Sequence, residues 1–104
     1  MNRKIGVHIL CLLFVLFLTS CGVSKRDQLV GKWELQEKEW QEILELYEDG
    51  SYRINTSSGW NTGEWRLVDD EHMALGKHIN DFSFDQGDLI LVDVKGEKYR
   101  YVRK

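Results

Sequence analysis

After Cys21 the chain has no cysteine, and only two of its three histidines, His72 and His78, lie outside the amino-terminal apolar run. The rest of the chain therefore holds no thiol nucleophile and no disulfide. Its serines stand outside any strand–turn–helix nucleophile context. Asp69, Asp70 and Glu71 are neighbouring carboxylates, but adjacent acids at a strand end read as a solvated turn, so a non-enzymatic protein is expected. Excess basic charge is also missing. The chain carries 14 Lys and Arg against 17 Asp and Glu, and without Arg3 and Lys4 it sits near −5. An acidic chain without a basic stripe argues against nucleic acid and against a surface that clings to anionic lipid. There is no low-complexity tract, and the longest apolar run, Ile5 to Leu18, has fourteen residues. As a helix it would span roughly 21 Å, short of the roughly 30 Å hydrocarbon core.

The run nevertheless has a setting. Arg3 and Lys4 precede it, and Leu18-Thr19-Ser20-Cys21-Gly22 follows. A basic start, a short apolar stretch and a small-residue exit make an export signal. Leu18, Thr19, Ser20 and Cys21 resemble the lipobox of bacterial lipoproteins, an aliphatic residue and two small ones before a cysteine. The resemblance implies signal-peptidase cleavage before Cys21 and a lipid anchor on its sulfur. Two or three acyl chains hold stably where one is marginal, at about 0.8 kcal/mol per buried CH₂. Cys11 would leave with residues 1–20, so no internal disulfide would form despite an oxidising compartment. Gly22 in place of Asp fits outer-membrane sorting to the periplasmic face in a host with two membranes. Residues 21–28 then read as the lipidated cysteine and a flexible tether, GVSKRDQ, reaching at most roughly 25 Å.

Residues 29–104 read as one domain. It must rely on aromatic bulk, and all four tryptophans lie there. From Leu29 onward the apolar pattern has period two, the mark of half-buried strands. Strands are expected at Gly31–Gln36, Glu42–Glu48, Ser51–Asn55, Gly63–Leu67, Met73–Leu75, Phe82–Phe84, Leu89–Val94 and Lys98–Val102. Asp49-Gly50, Gly76, Gln86-Gly87-Asp88 and Lys95-Gly96 stand between them. Such close spacing leaves no room for crossover helices, so neighbours pair antiparallel. The expected fold is all-β, a meander of about eight short strands forming a barrel or half-barrel. Its inward stripe is Trp33, Leu35, Leu44, Leu46, Tyr52, Ile54, Trp65, Leu67, Met73, Leu75, Phe82, Phe84, Leu89, Leu91, Tyr99 and Tyr101. Glu37 to Tyr47 also fits a helix, with Trp40, Ile43, Leu44 and Tyr47 on one face. The strand is preferred because Asp49-Gly50 is a hairpin turn that needs one on each side.

The order of these elements resembles small lipocalin-like domains of bacterial lipoproteins. Leu29-Val30-Gly31-Lys32-Trp33, Asp49-Gly50-Ser51-Tyr52, Gly63-Glu64-Trp65 with Asp69-Asp70, and Tyr99-Arg100-Tyr101 carry the resemblance. It implies an antiparallel barrel or half-barrel and no particular activity. The chain is about half the length of full lipocalins, a departure that weighs against an interior cavity.

Two tryptophans stand out. Trp60 lies in the polar stretch Ser57 to Gly63, read as a loop, and Trp40 near the preceding turn. Exposed Trp marks contact hot spots, so both are candidate partner or ligand contacts, although Trp60 can equally fold back over an open barrel end. His72, Met73 and His78 are the candidate metal ligands. With Met73 inward, however, both histidines are expected on the opposite face and Met73 in the core, so neither a metal nor a cofactor is expected. The leading reading is a binding module for an envelope protein or a small apolar ligand. The alternatives are a protease-inhibitor or immunity-type lipoprotein and a structural or stress-sensing envelope component.

Overall fold

The computed structural model describes residues 24–104. Where turn residues punctuate the period-two pattern, the chain reverses and pairs with itself. The elements are α1 (Lys25–Leu29), β1 (Gly31–Gln36), β2 (Glu42–Leu46), β3 (Ser51–Thr56), β4 (Gly59–Leu67), β5 (His72–Leu75), β6 (His78–Asp85), β7 (Asp88–Val92) and β8 (Lys98–Arg103). Gln86 and Gly87 both have positive φ, 54° and 87°, as a tight two-residue hairpin turn requires. They set Asp85 opposite Asp88. Each strand pairs antiparallel with the next, and β8 closes on β1 through Trp33↔Arg103 and Leu35↔Tyr101. Closure leaves the sheet without two outer strands. The result is a closed meander barrel of eight strands.

All sixteen residues of the expected stripe belong to the core or pack against it. Leu29, Trp33, Leu44, Leu46, Met73 and Leu89 are fully buried, each contributing roughly 1.5–3 kcal/mol relative to exposure. Most of these lie towards one end of the barrel. That end is closed by α1, which corrects the expected flexible tether over Ser24 to Gln28. Ser24 caps the helix by accepting from the Asp27 amide at 3.1 Å. Leu29 then enters the core, and its carbonyl accepts from Trp33 Nε1 at 2.8 Å. Arg103 donates to the carbonyls of Gln28 and Val30 at 2.6 and 2.7 Å, and lies 4.1 Å over the Trp33 ring. Arg26 donates to the Glu48 carbonyl at 2.7 Å and covers the Trp65 ring.

Further boundaries differ from expectation, and β6 starts at His78, four residues before Phe82. Glu37 to Gln41 is neither strand nor helix. Glu37 takes φ 63°, ends β1, and starts a bend that carries Trp40. Ser57 to Gly63 is not a loop, because only Ser57 and Ser58 turn and β4 already runs from Gly59. Pairing with β3, Thr56↔Gly59 and Asn55↔Trp60, overrides the polar composition. β7 stops at Val92, since Asp93 Oδ1 accepts the amides of Lys95 and Glu97 and folds the chain into a turn. Val94 is thereby left exposed.

Candidate functional site at the open barrel mouth

Antiparallel alternation decides what the other end of the barrel contains. Leu44, Trp65 and Phe82 point inward, so two-residue steps place Glu42, Gly63, Asn61, Asn80 and His78 on the same inner face. The apolar stripe thus turns polar as it reaches the end that α1 does not plug. There it opens into a cavity of about 510 Å³. Its apolar wall comes from Tyr52, Ile54, Leu75, Leu91 and Tyr99, and its polar groups from Glu42, Asn61, His78, Asn80 and Asp93. Trp40 stands at the rim. Small-molecule sites are concave and mostly apolar, with a few convergent polar groups, and of roughly this size. Short chain length weighed against such a cavity, and this end of the barrel holds one.

Tyr52 forms part of the floor. Its ring lies across Gly63, where a Cβ would come within 2.7 Å of it, and its hydroxyl reaches the turn at Gly76. Tyr101 is buried at 5% exposure and donates to Glu42 Oε2 at 2.6 Å. Burial, then the Glu42 carboxylate, pushes the Tyr101 phenol well above its ordinary 10.0, so this hydroxyl stays a proton donor at any physiological pH. Glu42 Oε1 also accepts from Trp40 Nε1 at 3.2 Å. Tyr99 donates to Asp93 Oδ2 at 3.3 Å, and burial followed by the Asp93 charge raises its phenol too.

The two tryptophans part company. Trp40, 44% exposed, lines the cavity. Trp60, 65% exposed, lies on the outer face, where the Arg53 guanidinium stacks 4.8 Å from its ring. It does not fold over the mouth. Beyond Glu64, whose carbonyl accepts from the Gly76 amide, β5 has ended, so Gly59 to Gly63 pair with β3 alone.

The histidines part as well, which corrects their expected shared face. Leu75↔His78 pairing across a two-residue turn puts His78 on the inner side, because the chain reverses between them. His72 faces out, its Nδ1 2.7 Å from Asp69 and its Nε2 3.1 Å from Asp81. Met73 is fully buried. Among the described residues no group of three His, Cys, Asp or Glu side chains is arranged to hold a metal. Leu18, Thr19, Ser20 and Cys21 lie outside the described residues. Trp40, singled out in the sequence, lines the cavity, whereas the polar mouth residues were not singled out. Their signal was a polar side chain in the inward phase, as at Glu42, Asn61 and Asn80. No protein-family model and no curated protein matches this chain.

Proposed function

We propose that this chain is a lipid-anchored bacterial envelope protein whose lipocalin-like barrel is a non-enzymatic binding module. Its ligand is a small molecule with an apolar body, taken at the open mouth. One observation carries the reading: α1 plugs one end of the barrel, while the other holds a cavity of about 510 Å³ with an apolar wall and inward-pointing hydrogen-bonding groups. The anchor belongs to Cys21, by the lipobox pattern of Leu18-Thr19-Ser20-Cys21. An inhibitor that inserts an extended amino-terminal arm draws no support from Lys25–Leu29, which are helical and end in a buried leucine.

Ile54→Trp tests the mouth, since it fills the cavity from a half-buried wall position. Native mass spectrometry of the full chain, released from neutral detergent after expression in a bacterial envelope, should show a discrete adduct on the wild type. The Ile54→Trp protein should lack it while keeping its cooperative melt. An adduct retained by the variant, or absent from both proteins, would dismiss the mouth as a ligand site.

A further inference from the structure

The bend after β1 and the turn after β7 meet at the rim, and the bend puts an ammonium group between aromatic rings. Lys38 Nζ lies 4.9 Å from the centre of the Tyr99 ring and 6.0 Å from that of Trp40. It donates to Glu97 Oε1 at 2.6 Å. Although it stands in a surface bend, its side chain is only 19% exposed. The hydrogen bond to Glu97 holds the ammonium above its ordinary range. Both rings are fixed by their own polar atoms, Trp40 Nε1 on Glu42 and the Tyr99 hydroxyl on Asp93. Two oriented aromatic faces and a carboxylate around one cation are the parts of an ammonium cage. Trp40 and Tyr99 also line the cavity, whereas Lys38 and Glu97 stand outside its walls, Lys38 towards Lys98 and Arg100.

We propose that Trp40, Tyr99 and Glu97 form a cation subsite bordering the mouth, so that the preferred ligand carries an ammonium group on an apolar chain, and that Lys38 occupies this subsite when the ligand is absent. The proposal rests on the mouth being the ligand site. The apolar chain would run down the wall of Ile54 and Leu75, and the ammonium would take the place of Lys38 Nζ. An intramolecular competitor acts at an effective concentration in the millimolar range, so Lys38 weakens every ammonium ligand and leaves neutral ones untouched.

Pentylammonium, pentanol and pentanoate share a chain and differ in head group, and all are short enough to stay mostly outside detergent. Each is titrated against the full chain in neutral maltoside micelles, with the Ile54 and Leu75 methyl signals as the readout. In Lys38→Ala, pentylammonium should bind roughly tenfold tighter than pentanol, the size of a cation–π contact with a charge-assisted hydrogen bond. The wild type should show a smaller preference, and Trp40→Leu added to Lys38→Ala should erase it. Equal binding of pentylammonium and pentanol by Lys38→Ala would overturn the subsite while leaving the mouth as a site. So would tighter binding of pentanoate, or an unchanged preference on removing Lys38. If none of the three probes moves the methyl signals in either protein, the reading of the mouth falls with it.

Discussion

Gly63 stands opposite Tyr52 in the β3–β4 register, and the phenol ring occupies the space a side chain would need. A Cβ there would meet Tyr52 Cε2 at 2.7 Å and its Cζ and hydroxyl at 2.9 Å. Overpacking of this kind costs about 1–3 kcal/mol, more than the roughly 0.4–1 kcal/mol that Gly→Ala returns by restricting the unfolded chain. Gly63→Ala should therefore lower stability by about 1–2 kcal/mol in urea melts, and Tyr52→Val should remove most of that loss. A Gly63→Ala protein as stable as the wild type would mean the ring moves away at no cost. Gly63 was legible in the sequence as part of Gly63-Glu64-Trp65. Its partner was not, because the pairing lies across strands.

His72 is the second residue-scale test. The hydrogen bond with Asp69, then the charges of Asp69 and Asp81, raises its pKa above the ordinary 6.5. Asp69 is lowered below 3.8, first by the Glu71 amide and then by His72. A raised histidine stabilises the fold fully below its unfolded value and loses that contribution as pH climbs through the folded one. A lowered aspartate contributes above its unfolded value and loses it as pH falls through the folded one. The contact is thus complete between about pH 4 and pH 6 and weakens on either side. Proton NMR should place the His72 midpoint above 6.5, and Asp69→Asn should move it back down. A wild-type midpoint at or below 6.5 would show the contact does not persist in solution.

At the scale of elements, α1 has five residues and could not stand alone. It exists because Leu29 is buried and because Arg103 and Arg26 tie both its ends to the barrel. Composition made this segment look like linker, since Lys25, Arg26, Asp27 and Gln28 are all polar, and only Leu29 carries its packing. Leu29→Ala should cost about 2–5 kcal/mol, the range for a fully buried leucine. Amide exchange should also quicken at Gln28 and Val30, whose amides bond within α1. A loss below about 1 kcal/mol would show that the plug is not part of the cooperative unit. β4 teaches the converse. Its outer half, Gly59 to Gly63, is polar because it faces water and lacks β5 as a neighbour, so polarity there marked exposure and not a loop.

For the whole molecule, the position of α1 sets the direction of the barrel. Only Gly22 and Val23 separate Cys21 from Ser24, a span of at most roughly 10 Å, where a free seven-residue tether would have reached further. The proposed anchor on Cys21 would therefore hold the plugged end near the bilayer and turn the mouth away from it. Labelled palmitate should enter the wild-type protein in bacterial cells and be absent from Cys21→Ser, with the uncut precursor accumulating. Label retained on the variant would remove the anchor.

The alternation of apolar residues and the turn dipeptides determined the number of strands, their antiparallel pairing and the apolar side chains of the inward stripe. These are local properties, since period two and a positive φ are decided within a few residues. Tertiary structure alone decided that β8 closes on β1, that α1 plugs one end, that His72 and His78 face apart, and that Lys38, Trp40, Glu97 and Tyr99 meet at the other end. The histidines part within the β5–β6 hairpin; the other three depend on contacts between segments far apart in the chain, where the position of one strand is set by its neighbour and not by its own residues.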